Sequence, residues 1–247
     1  MLEPRVAEGV HRVEDAYVNW YLLEEDRRLT LADAGVPASW DSLLAALDAL
    51  GRSPGDVEAV VLTHAHFDHI GIAERVRAQL GAEVWAPEDD VPLTRHPLQY
   101  TRDRSPLRYA WRPGARPIMA ALLRSRAFLP PPIARVRRFR AGEGPLPVPG
   151  APLPLATPGH TLGHCALALP ERGALLAGDA LVTLDPYTGA TGPRLVARAA
   201  TADPERATAS LDVLASSDAA VLLPGHGEPW RGGVAAAVDA ARAAGIA

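Results

Sequence analysis

The stretch Val60-Val61-Leu62-Thr63-His64-Ala65-His66-Phe67-Asp68-His69 decides how this chain is read. An apolar run of strand type ends in four potential metal ligands within six residues: His64, His66, Asp68 and His69. Imidazole and carboxylate are natural ligands of zinc and related divalent ions, so this density suits a loop wrapped around a metal pair. Three further segments share the grammar of apolar strand followed by polar turn. Leu153 to Ala156 runs into Thr157-Pro158-Gly159-His160, Ala174 to Ala177 into Gly178-Asp179, and Val221 to Leu223 into Pro224-Gly225-His226-Gly227. Ligands of α/β sheets gather at strand ends, where side chains distant in sequence converge, and the four segments are expected to form one rim. The glycines beside His160, Asp179 and His226 let the backbone turn sharply and keep bulk away from the ions.

Composition narrows the chemistry that such a rim can hold. Cys165 is the only cysteine, which excludes an internal disulfide framework and any cysteine-based zinc site within one chain, leaving His and carboxylates as ligands. The 247 residues carry a formal charge of −4, 48% apolar and 22% charged residues, with a mean hydropathy of zero. One large domain over residues 1–247 is the expectation, burying roughly 70 to 75% of the unfolded surface. All 25 basic residues are arginine, so arginine richness is read as compositional bias before chemistry. The mildly acidic balance suggests neither nucleic acid nor a membrane as partner. No run reaches the ~18 apolar residues of a membrane span, and Met1-Leu2-Glu3-Pro4-Arg5 lacks the pattern of a secretory signal, which predicts a cytoplasmic protein.

Outward from the rim, alternation from Gly9 to Ala34 predicts antiparallel strands turning at Glu25-Asp26-Arg27. Leu43, Leu44, Leu47 and Leu50 predict a helix capped by Ser39 and ended by Gly51; a second helix spans about Ile72 to Leu80, before a strand at Glu83 to Ala86. Later helices fall at about Pro204 to Ala215 and Gly233 to Ala243. Residues 87–158 hold 15 of the 24 prolines, which is expected to keep that stretch out of a continuous sheet. Within it, residues 91–140 carry 12 Arg against one acid, Asp103. We read 87–140 as a mobile or helical lid, with short helices at Leu107 to Tyr109 and Ile118 to Arg126, and with Tyr100, Tyr109, Trp111 and Phe128 available to pack.

Together the four rim segments and Leu31-Ala32-Asp33-Ala34-Gly35 resemble the metallo-β-lactamase-fold hydrolase superfamily, in its glyoxalase II and lactonase-like branch. The resemblance covers the chain outside the Arg/Pro-rich insertion. It implies an α+β fold, the αββα four-layer sandwich of two mixed sheets with helices outside and a metal pair at one edge. It further implies that His64, His66 and His160 hold one metal, that Asp68, His69 and His226 hold the second, and that Asp179 bridges them. Two divalent ions sharing a water lower its pKa and clamp the attacked oxygen. Zinc is the expected metal, with iron and manganese as alternatives. Asp68 is ligand and proton carrier, while Asp33 is either a partner that orients ligands or a simple turn carboxylate. His164 reads as a buried, hydrogen-bonded core histidine, and His11 and His96 as surface residues. Tyr187, on a loop after Asp179, is a candidate donor to a substrate oxygen, with packing as its competing role.

The metal site alone does not choose a substrate. Lactamase patterns lack the bridging carboxylate, glyoxalase II continues into a helical domain where only 21 residues follow His226 here, and the long nuclease insertion is absent. The first reading is a hydrolase of a small ester, lactone or thioester. The substrate is expected to be anionic, because the insertion's excess of +11 would steer anions toward the cleft. Alternatives are a persulfide-dioxygenase-like enzyme with mononuclear iron, a non-catalytic ligand-binding or regulatory protein, and a phosphodiesterase or nuclease.

Overall fold

The computed structural model describes residues 1–247. A seven-stranded sheet runs in sequence order through β1 (Leu2–Ala7), β2 (Val10–Asp15), β3 (Val18–Glu25), β4 (Arg28–Ala32), β5 (Val57–Val61), β6 (Glu83–Pro87) and β7 (Arg137–Phe139). Its first four strands pair antiparallel through hairpins, and β4 to β7 pair parallel. A second sheet combines β8 (Leu153–Ala156), β9 (Cys165–Leu169), β10 (Ala174–Gly178) and β13 (Val221–Pro224) in the order β13-β10-β9-β8. A small antiparallel pair, β11 (Val182–Leu184) and β12 (Thr191–Arg194), completes the strands.

The layers follow from the period of two along each strand. On β3, Trp20 and Leu22 enter one apolar cluster with Trp40, Leu43, Leu47 and Val76, whereas Tyr21 and Leu23 enter another with Leu167, Leu176 and Leu223. The first cluster lies between the large sheet and α1 (Ser39–Ala49) and α2 (Ala73–Leu80), and the second lies between the sheets. On β9 and β10, Ala166, Ala168, Leu175 and Ala177 turn the other way onto Leu211, Leu214, Val238 and Ala241 of α5 (Pro204–Ala215) and α6 (Val234–Ala244). The expected α+β four-layer sandwich is therefore the observed architecture: helices, sheet, sheet, helices.

The segment 87–140 departs from its reading in two respects. Arg137–Phe139 joins the large sheet as its parallel edge, although proline density predicts that this stretch stays out. No proline lies between Pro132 and Pro145, and an edge strand must pair on one side only. Trp111 is 63% exposed instead of packed. The other aromatics do pack. Tyr100 and Phe128 lie against Phe67 with Ile118 and Leu122 of α4 (Ala115–Arg124), and Tyr109 packs on Ala197 and Ala199 while donating a hydrogen bond to the Ala247 carbonyl. The helix precedes the expected range of 118–126 by two or three residues, and α3 (Val91–Arg95) has no counterpart in the sequence reading.

His11 also corrects its sequence reading. It is buried on β2, with its ring against the Glu24 carboxylate at 3.1 Å, because β2 lies inside the sheet and places it beside β3. His96 is exposed, as expected. No helix is long and apolar enough to cross a membrane.

Candidate metal centre

Strand register assembles the centre. Because β4 and β5 pair with Ala32 beside Val61, the turns that follow bring Asp33 to Thr63. The pairing of Gly178 with Pro224 on β10 and β13 sets Asp179 beside His226, and the Gly225 amide donates to the Gly178 carbonyl at 2.8 Å. Two bonds tie the sheets together at this end: the Cys165 amide donates to the Thr63 carbonyl at 2.9 Å and the Asn19 amide to the Gly225 carbonyl at 2.8 Å. All four strand-end segments thus meet at one edge of the sandwich.

His64, His66 and His160 each bring a ligand atom within 4.8 Å of the others, as do Asp68, His69 and His226. Asp179 lies between the groups: Oδ1 is 3.6 Å from His69 Nε2, and Oδ2 is 3.4 Å from His160 Nε2 and 3.3 Å from His226 Nε2. Asp33, His64 and His69 are also close, but the Asp33 oxygens are engaged. They accept from the Thr63 amide at 2.8 Å, the Thr63 hydroxyl at 2.8 Å and His69 Nδ1 at 3.1 Å. Asp33 therefore holds a histidine in place, which settles its two sequence readings in favour of orientation.

Those outer bonds also decide which nitrogen faces inward. His69 Nδ1 donates to Asp33, His226 Nδ1 to the Tyr17 carbonyl at 2.7 Å, and His64 Nδ1 to the Thr63 hydroxyl at 3.0 Å. In each ring Nε2 is then the free lone pair. All three Nε2 atoms are buried without a hydrogen-bond partner, as are His66 Nε2, His160 Nδ1 and Asp179 Oδ1. His66 Nδ1 and His160 Nε2 stand 2.8 Å apart, a separation that needs a proton or a cation between two lone pairs. Buried polar atoms are rarely left unpaired, and this concentration of bare ligand atoms fits divalent cations.

Charge divides the centre into two halves. Burial, reinforced by neighbouring histidines, pushes His64 and His66 well below the usual imidazole range. Burial also lowers His160 to about 4, against the pull of Asp179. In the other half burial is outweighed: Asp179 and Asp33 raise His69 to about 10, and Asp179 and Asp68 raise His226. Asp179 itself, despite burial, is held well below the carboxylate range by His226 and His69, whereas burial raises Asp68. Metal binding at such ligands competes with protons.

Two backbone features make room for this arrangement. A Cβ at Gly225 would stand 2.1 Å from Asp179 Oδ1, so no larger residue fits against the carboxylate. The β2–β3 hairpin turns on Ala16 and Tyr17, both with positive φ (55° and 67°) and neither a glycine. That strained turn delivers the Tyr17 carbonyl to His226.

Tyr187 lines the centre, together with Tyr100. Its loop is pinned by Asp185, which accepts from the Tyr187 amide and the Thr188 hydroxyl. Burial raises both phenols. His164 is buried and hydrogen-bonded: Nδ1 pairs with the Thr157 hydroxyl at 2.8 Å, and Nε2 accepts from the Asp179 amide at 3.1 Å. Burial lowers it to about 3, so it remains a neutral acceptor.

Sequence reasoning missed Asp90 and treated Tyr100 only as a packing residue. Asp90 accepts from the Ala65 amide, the Thr161 hydroxyl and the Gly163 amide at 3.0, 2.7 and 2.9 Å, joining the loops of His64 and His160. The signal was the rim grammar itself, because Asp90 follows the predicted strand at Glu83 to Ala86. Tyr100, whose ring centroid is 4.2 Å from that of His66, had no such signal.

A four-layer sandwich with histidines and aspartates converging at its strand ends is the architecture of a metal-binding hydrolase-type domain. The family model of the metallo-beta-lactamase superfamily matches residues 13–226, and the chain belongs to that superfamily. It is 31% identical over 238 residues to the probable metallo-hydrolase YflN of Bacillus subtilis, covering 92% of this chain and 86% of that one. The metallo-beta-lactamase family protein TTHA1429 of Thermus thermophilus superposes with a TM-score of 0.67 at 30% identity, covering 94% of this chain and 77% of the other. TTHA1623 in a di-iron-bound form superposes with a TM-score of 0.61 at 27% identity, covering 89% and 92%.

Proposed function

We propose that this chain is a dinuclear metal-dependent hydrolase acting on a small ester, lactone or thioester. The observation that carries the reading is the set of bare, buried ligand atoms flanking Asp179. His64, His66 and His160 would hold one ion, Asp68, His69 and His226 the second, and Asp179 would serve both. Such a pair, when bound, supplies an activated water and polarises the substrate oxygen. Zinc suits these nitrogen and carboxylate donors, and the di-iron form of TTHA1623 supports iron as the competing metal.

The chain's own residues supply the remainder. Asp68, kept easier to protonate by burial, takes up and returns a proton beside the reacting centre. Tyr187 stays protonated and donates to a substrate oxygen. Asp33 and His164 hold His69 and Asp179 in place. The segment 87–140 acts as a lid, since Tyr100 closes one side of the centre. Arg102, stacked 4.7 Å from the Tyr100 ring centroid, is the insertion cation best placed to attract an anionic substrate.

Metal analysis of protein purified without added metal tests the reading, combined with turnover of a panel of esters, lactones and thioesters. Two metals per chain and hydrolysis are expected, with both lost in Asp179→Ala. One iron per chain without hydrolysis of the panel overturns the proposal in favour of the dioxygenase chemistry.

A further inference from the structure

The space between the side chains at the metal centre is only about 10 Å³. It accommodates about one water, so most of any substrate must lie elsewhere. Pro186 and Tyr187 form walls of this centre, and the same two residues wall a surface groove of about 410 Å³. The opposite wall of the groove comes from the insertion, with Leu107, Tyr109, Ala110, Met119 and Leu123. Leu107 and Leu123 are 79% and 62% exposed. Most of the residues lining the groove are apolar.

We propose that this groove receives an apolar acyl chain of the substrate, with Pro186 and Tyr187 as the shared wall that the chain passes on its way from the reacting carbonyl. The inference rests on the hydrolase reading above and names the substrate class within it. The groove's volume lies in the small-molecule range of roughly 300 to 1,000 Å³. A protein partner would need about 800 Å² of surface on each side, which a pocket of this size does not present. The two other large cavities share no wall with the metal centre, one lined by Glu14, Tyr17 and Glu228 and the other by Glu88, Asp89 and Arg140. A smaller recess of about 130 Å³ adjoins the centre at Tyr100 and is lined by Asp89, Asp90, Gln99 and Thr101. It also includes Pro92, Leu93 and Leu162 and is too small for a long acyl chain, which leaves the groove beside Tyr187 as the place for one.

The test uses the full metal-loaded chain, p-nitrophenyl esters from acetate to decanoate, and decanoate binding by calorimetry. Each added methylene is expected to raise kcat/KM by about fourfold until the groove is filled. Met119→Glu, on the exposed face of α4, should flatten that series and weaken decanoate binding at least tenfold. Met119→Leu should restore both. Chain-length dependence and decanoate affinity that are the same in Met119→Glu and the unaltered protein overturn the inference. If no ester is hydrolysed yet decanoate still binds in a Met119-dependent way, the groove stands and the hydrolase reading fails. Acetate turnover without chain-length dependence or decanoate binding has the reverse meaning.

Discussion

The strand-end rim and the 87–140 segment are built on opposite principles. At the rim, buried groups hold one another through short hydrogen bonds: Asp33 holds His69 and His164 holds Asp179 within their own sheets, and the Tyr17 carbonyl reaches across from the large sheet to hold His226. The insertion is held by a few aromatic contacts and carries most of its arginines in solvent, some paired with acids, as in Arg137 with Glu83 of β6 and Arg138 with Glu88 of the segment itself. The difference teaches where chemistry and selectivity can reside. A metal centre needs ligands fixed to a fraction of an ångström, whereas a substrate wall can vary without disturbing them.

Asp33→Ala would strike the rim hardest among residues that are not ligands. It leaves the Thr63 amide and His69 Nδ1 without their acceptor, and metal affinity should fall roughly 10- to 100-fold in a chelator competition. Wild-type affinity in this variant would mean that the strand ends position His69 without it.

Asp90 stands where the two regions meet, and its removal orphans two buried amides and a buried hydroxyl. At roughly 1 to 3 kcal/mol for each unsatisfied group, Asp90→Ala should lower unfolding free energy by about 3 kcal/mol or more, read from urea denaturation. A loss below about 1 kcal/mol would show that the loops of His64 and His160 are held together mainly by packing.

The Ala16-Tyr17 turn tests whether the rim stores strain. A non-glycine residue in the left-handed region costs roughly 1 to 2 kcal/mol, so Ala16→Gly should raise stability by about 1 kcal/mol without changing metal content. A neutral or negative shift in thermal midpoint would indicate that the turn is relaxed.

The smallest effect belongs to the insertion. Arg124 is exposed on α4 and has no ion-pair partner. Arg124→Ala should change stability by less than about 0.5 kcal/mol and leave metal binding intact. A loss comparable to that of Asp90→Ala would erase the contrast between the regions.

Periodicity and turn chemistry determined much of this protein from the sequence alone. The alternation from Gly9 to Ala34 pointed to the hairpin strands, and the apolar runs of β9 and β10 to buried ones. The repeated pattern of apolar strand and polar turn named the residues that converge at one edge, because strand direction alone places each turn at a predictable end. What the sequence could not carry was anything set by contacts between distant segments. Burial of His11 follows from its place inside the sheet, and the β7 edge depends on where β6 leaves a free side. Asp90, Tyr100 and the groove beside Tyr187 owe their roles to the insertion folding back on the rim. Local pattern reports what a strand or turn prefers; only tertiary packing decides which unpaired polar group meets which partner, and which apolar surface is left for a ligand.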